Sequence, residues 1–262
     1  MGELTVEPRL AVAFAFALGA CIGSFLNVVI WRLPRGESLV RPGSHCPACG
    51  DAIPFWANVP LLSYALLRGR CRACRAHISA RYPLVEALMG AIFAGLLLPH
   101  GPSARLLVEW ALAAALVAVV FIDLDHHVIP NAITLPGLVL GLGVSLVAPE
   151  LGVDWRDALL GVAAVAGPLW ALSAGYERLR GQIGLGMGDV KLVAMLASFL
   201  GFRASLGIVT LGSLVGVIYG VALIARTGGG RNTRIPFGPA LALVGLAFVF
   251  QPNLLDAILV RT

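Results

Sequence analysis

The chain has 262 residues, of which 58% are hydrophobic and only 13% charged, with a mean hydropathy of +0.88. Soluble domains are less apolar and carry about a quarter charged residues, so the composition excludes an ordinary soluble enzyme and points to a membrane protein. The net charge of +5 does not signal nucleic acid, because the basic residues are almost all Arg in short loops.

The chain opens with Met-Gly-Glu-Leu-Thr-Val-Glu, which lacks a basic region and precedes no small-x-small cleavage site. The first apolar run therefore reads as a retained helix. Eight runs approach the roughly 20 residues a membrane span needs: 9–30, 83–99, 106–122, 132–148, 157–176, 188–201, 204–225 and 237–250. The predicted fold is an all-α polytopic membrane bundle of about eight transmembrane helices. Its parts are a first helix in residues 1–30, a polar insertion in 31–82 and a helical bundle in 83–262. Small-xxx-small pairs at Gly19 and Gly23, Gly137 and Gly141, and along Gly212, Gly216 and Gly220 predict close helix packing, read first as packing inside one bundle and second as dimerisation. Alternating the loops puts 14 of the 19 Lys and Arg residues on one side. The positive-inside rule makes that side cytoplasmic, with both termini outside.

Residues 31–82 are too few to build much of a core unaided. Cys46-Pro-Ala-Cys49 and Cys71-Arg-Ala-Cys74 supply a staple. Two residues between thiolates let both sulfurs of a knuckle meet one metal, and two knuckles make a closed tetrahedral site of the kind structural zinc prefers. A reducing cytoplasm argues against disulfides. Cys21, alone in an apolar helix, reads as a small buried hydrophobe.

Acids at membrane-helix ends are costly and mark function. Asp123 and Asp125 lie in Phe-Ile-Asp-Leu-Asp-His-His-Val-Ile-Pro-Asn at 121–131, and Asp189 lies in Gly-Leu-Gly-Met-Gly-Asp-Val-Lys at 184–191. The loop count puts both strings at the same membrane face. Two neighbouring carboxylates share one proton, so one is able to activate water while the other polarises a carbonyl. Gly186 and Gly188 leave room for a close backbone approach. Asp125 also reads as a solvated loop acid. Lys191 reads equally as a counter-charge near Asp189 or as a side chain snorkelling to the interface. Glu86 reads as an acid paired with Arg81 or as a contact for a cationic amine.

Together these strings resemble the bacterial type IV prepilin peptidases. Gly23-Ser-Phe-Leu-Asn-Val-Val-Ile-Trp-Arg-Leu-Pro34 is similar to that family's first helix, the four cysteines to its cysteine loop, and Arg81-Tyr-Pro-Leu-Val-Glu86 to the start of its second helix. The two aspartate strings and Ile235-Pro-Phe-Gly-Pro239 complete the match. The resemblance implies an aspartic endopeptidase of the bacterial inner membrane that removes basic leaders from prepilins and pseudopilins. It cuts after Gly at the cytoplasmic face. Asp123 and Asp189 would be its catalytic pair and Asp125 a neighbour. It further implies N-methylation of the new terminal residue with S-adenosylmethionine. Prepilin and pseudopilin substrates and the lipid bilayer are the implied partners, with no nucleic acid. Two other classes compete: a proton-coupled transporter relaying through the same acids, and an assembly scaffold docking through the cysteine loop.

Overall fold

A computed structural model describes residues 8–181, 185–227 and 236–255. Gly184, the basic loop holding Arg231 and Arg234, Ile235 and the first seven residues lie outside them. The described residues form helices with no strand; pairing is limited to two isolated bridges, His45 with Ala52 and Arg70 with His77. The chain divides into two compact units, residues 1–110 and 111–262.

The first unit is built on two long helices, α1 (Pro8–Arg32) and, after the short α2 (Leu62–Leu66), α3 (Arg81–His100). Glycine sets their separation. A Cβ at Gly19 would lie 2.5 Å from the Met89 carbonyl oxygen, and one at Gly23 would lie 2.7 Å from Glu86 Cα. The small residues thus serve packing within one chain, as the spacing predicts. Asn27 Nδ2 donates to the Tyr82 carbonyl (3.2 Å) and fixes the register. Cys21 is exposed, contrary to the expectation of a buried thiol. In a bilayer an apolar side chain has no reason to face inward, because lipid is as apolar as the core.

At the far end of α3, Glu109 accepts from Arg105 Nε (2.8 Å) and bonds His100 Nδ1 (2.5 Å). Trp110 stacks on Phe93 at 4.5 Å and donates to the Phe93 carbonyl. These contacts satisfy a buried acid that would otherwise be costly in an apolar setting.

The second unit takes the end of α4 (Ala104–His126), then α5 (Asn131–Val147), α6 (Trp155–Gly161), a π-helical turn at Val162–Ala166, α7 (Gly167–Arg180), α8 (Met187–Thr227) and α9 (Gly238–Phe250). Its core gathers Leu116, Val119 and Ile122 from α4, Leu192, Met195, Leu196 and Ile208 from α8, and Leu241 and Phe248 from α9. Gly137 and Gly141 of α5 lie against Met195, Ser198 and Phe199 of α8.

Among the described residues, five helical stretches are long and apolar enough to cross a membrane: 8–35, 81–100, 104–126, 155–180 and 187–226. Helices α5 and α9 are shorter apolar helices. The predicted spans 188–201 and 204–225 run together as α8, broken at Gly201 (φ 79°, ψ −175°). Asp157 of α6 serves this break by accepting from the Phe202 N–H (3.3 Å). Only glycine adopts that backbone conformation readily, and Asp157 fills the space where a Cβ would project. Gly201→Ala is therefore expected to cost at least ~1–3 kcal/mol, read as a lower melting temperature of the purified protein.

Candidate active site and metal centre

Asp123 sits three residues before the end of α4, which closes when the His127 N–H bonds the Asp123 carbonyl (2.9 Å). The chain then turns through Ile129 and Pro130 into α5. Asp123 is 5% exposed. Its carboxylate accepts the backbone N–H of Gly238, at the start of α9. A Cβ at Gly238 would stand 2.6 Å from Asp123 Oδ2 and 2.7 Å from Ile129 Cδ1.

Asp189 lies in the first turn of α8, where its N–H bonds the Gly186 carbonyl (3.0 Å). A side chain at Gly186 would press on Asp189 Oδ2 (2.8 Å), and one at Gly188 on Ile129 Cβ (3.1 Å). Ile129 therefore wedges between Gly188 beside Asp189 and Gly238 beside Asp123. The two carboxylates lie close enough to interact through their charges.

Asp189 also opens on a cavity of about 190 Å³. Its wall is Leu169, Leu172, Leu185, Val193, Val209, Phe237 and Leu241, with Ser213 as the other polar residue. The pair thus has one buried member and one facing an apolar cavity.

The supporting residues fall around this pair. Gly186 and Gly188 hold the approach to Asp189 as described. Lys191 Nζ donates to Asn131 Oδ1 (2.8 Å), joining α8 to α5. Asp125 is exposed at the end of α4, and the exposed His127 follows directly after the helix. Glu86 accepts from the Leu61 N–H (2.7 Å). Gly238 and Ile129 were not singled out as site residues from sequence, although both lie within strings that carried the resemblance.

The four cysteines converge in the first unit. The Sγ atoms of Cys46, Cys49, Cys71 and Cys74 all lie within 4.8 Å of one another, and none forms a disulfide. Two matching turns place them. The Gly50 N–H bonds the Cys46 carbonyl (2.8 Å), and the Arg75 N–H bonds the Cys71 carbonyl (3.1 Å). Gly50 and Arg75 both take positive φ, at 74° and 61°. Each turn is closed by one of the isolated bridges. Cys46 Sγ and Cys74 Sγ are 3.9 Å apart, close to the ~3.8 Å edge of a tetrahedron with metal–sulfur bonds of about 2.3 Å.

Thiol chemistry agrees with a cation site. The backbone amides of Cys74 and Ala73 hold the Cys71 thiol down at about 7. At Cys49 the Asp51 amide favours the thiolate, but Cys74, burial and the other two thiols outweigh it and push the group up to about 12. Four thiols this close ionise together only around a positive charge.

Comparison with known proteins adds to this geometry. The bacterial peptidase A24 N-terminal domain matches residues 17–99, and the type IV leader peptidase family matches residues 110–221. A prepilin leader peptidase/N-methyltransferase of Myxococcus xanthus is 43% identical over 84% of this chain and 65% of its own length. The protein of that name from Neisseria gonorrhoeae is 38% identical over 97% of this chain and 94% of its own. That from Aeromonas salmonicida is 40% identical over 91% and 90%. No solved structure matches the chain.

Proposed function

The chain belongs to the type IV leader peptidase family, and we propose that it works as a prepilin leader peptidase/N-methyltransferase whose peptide-cutting pair is Asp123 and Asp189. The observation that carries this assignment is the convergence of the two acids around Ile129, with Asp189 lining an apolar cavity. Nothing found favours the transporter reading of the same acids.

The substrate is an apolar helix preceded by a basic leader. Its cut site, an extended segment ending in Gly, reaches the rim of the second unit at the cytoplasmic face. One carboxylate is ionised and takes a proton from water. The hydroxide attacks the scissile carbonyl carbon, and the other, protonated carboxyl donates to the carbonyl oxygen. Collapse of the tetrahedral species breaks the C–N bond and returns a proton to the leaving amine. One water is consumed, and no covalent enzyme intermediate is needed.

The Gly238 N–H holds Asp123 in place, and the lack of a side chain there keeps the carboxylate seated. Gly238→Ala forces Asp123 or Ile129 to shift. Because a misplacement of about 1 Å is able to cost ~10²-fold in rate, this variant is expected to accumulate normally but cleave on the order of 10²-fold more slowly.

Zinc is the metal we assign to the four thiolates. The protein fills all four positions and leaves none for water, so the ion staples the insertion and takes no part in cleavage. S-adenosylmethionine would supply the methyl group for the second activity. The cavity beside Asp189 is a poor match for that cofactor: one carboxylate and one hydroxyl in an otherwise apolar wall do not serve a sulfonium, an adenine and an amino-acid group together. No step of methyl transfer is assigned to it.

Purified protein incubated with a prepilin is expected to release the leader as a separate peptide, seen by mass spectrometry. An intact substrate after prolonged incubation with folded, metal-loaded protein would overturn the reading.

A further inference from the structure

The insertion between α1 and α3 has an apolar edge that its own core does not cover. Phe55 is 83% exposed, Trp56 59% and Leu66 73%, and Leu62 is also exposed. Phe55 and Trp56 pack edge to face at 5.0 Å. The edge is folded, since Ser63 Oγ donates to the Trp56 carbonyl (3.2 Å) and the Tyr64 hydroxyl to the Ile78 carbonyl (3.4 Å).

Its depth is set by one bond. The Leu61 N–H donates to Glu86, which lies inside α3 and not at its start. Gly23 packs on the Glu86 backbone, so Glu86 stands level with Gly23 of α1. From Gly23 to the end of α1 at Arg32 is ~13 Å at 1.5 Å per residue. The headgroup layer on each side of a bilayer is only about 5–8 Å thick. The Glu86 side chain leans back toward the helix N-terminus and recovers a few ångströms of this. Leu61 is still held below the point where the chain leaves α1, by more than the thickness of a headgroup layer less the reach of that side chain. Leu61 takes a positive φ of 62° to reach it.

The surroundings match an interface. Trp31 and Tyr82 are exposed at the adjoining helix ends, with Arg35 over the Trp31 ring at 3.8 Å. Aromatic residues gather at this level of membrane proteins. Directly after the edge come Arg68, Arg70, Arg72 and Arg75, all exposed. Residues 31–82 hold Glu37 and Asp51 as their only acids.

We propose that residues 55–66 are an interfacial anchor: Phe55, Trp56, Leu62 and Leu66 enter the leaflet from which the cysteine module emerges, and the following arginines lie on its anionic headgroups. The module thereby rests on the bilayer instead of projecting from it. This inference uses only the first unit and is independent of the aspartate pair.

The test uses the full chain in lipid nanodiscs containing phosphatidylglycerol, with Trp56 emission taken as the difference between the native protein and Trp56→Phe. A face buried ~5–10 Å deep puts Trp56 beside bromines at shallow acyl positions, so brominated lipid is expected to remove about half or more of the difference emission. Aqueous iodide is expected to change it little. Exchanging phosphatidylglycerol for phosphatidylcholine is expected to weaken the bromine effect, and an unchanged effect would remove the arginines from the proposal. Difference emission indifferent to bromine overturns the anchor whatever iodide does; if iodide then quenches it, the edge faces water and is free for a protein partner. Should Trp56→Phe fail to accumulate, Phe55→Trp adds a reporter and gives the same reading. Leader cleavage measured on the same nanodiscs separates this outcome from failure of the peptidase assignment.

Discussion

Asp123→Asn and Asp189→Asn are each expected to leave prepilin uncut while the protein accumulates at its normal level. Asn keeps the size of Asp and an oxygen able to accept the Gly238 N–H. It neither removes a proton from water nor donates one to a carbonyl at neutral pH. General acid–base catalysis contributes about 10²–10⁴-fold per group, and two groups that act as a unit lose nearly everything when one fails. Either change should therefore drop leader release by at least ~10³-fold. Asp125, exposed and two residues along, is the internal comparison, and Asp125→Asn is expected to retain cleavage. The measurement is the fraction of prepilin shortened, against the amount of enzyme in the membrane. Substantial cleavage by both single variants would remove the pair from the mechanism.

The second large effect concerns the metal. Purified protein is expected to carry one zinc per chain, and Cys46→Ser combined with Cys71→Ser is expected to lose it. Structural zinc contributes on the order of 10–16 kcal/mol in small zinc modules at neutral pH, as much as the whole stability of a typical domain. Removing it should unfold the insertion. Exposed Arg68, Arg70, Arg72 and Arg75 make trypsin a direct probe: the metal-free form should be cut there quickly, and the loaded form slowly. Each thiol must lose its proton to bind, so affinity falls as pH falls. With Cys71 held at about 7, acidification through neutrality should weaken retention and speed trypsin cutting. Equal trypsin resistance with and without metal would show that the insertion is held by something else.

The helices were legible because bilayer-spanning runs are long and nearly continuous, and all eight predicted runs fall on helical segments of the structure. The cysteine cluster was legible because Cys-x-x-Cys spacing is itself a local geometry. What could not be read were bonds from backbone amides to distant acids. Gly238 to Asp123, Phe202 to Asp157 and Leu61 to Glu86 each join residues far apart in sequence, and an N–H group leaves no mark on composition. Arg81 was weighed as the Glu86 partner because the two are five residues apart on one sequence string; the bond from the distant Leu61 N–H to Glu86 was not foreseen. Lys191 was weighed as a counter-charge to Asp189, and it reaches Asn131. Cys21 was misplaced because an apolar residue in a soluble core hides, whereas in lipid it does not need to.

The glycine seam between α1 and α3 has one more effect. By pressing the two helices together, with Tyr82 beside Asn27, it brings the two ends of the insertion near one another before any metal arrives. For a loop of about fifty residues the length-dependent entropy of bringing ends together is ~3.5 kcal/mol, and the stem meets it in advance. Doubling the loop would add only about 0.6 kcal/mol, so the stem is a socket that accepts inserts of very different lengths with little change in how they fold.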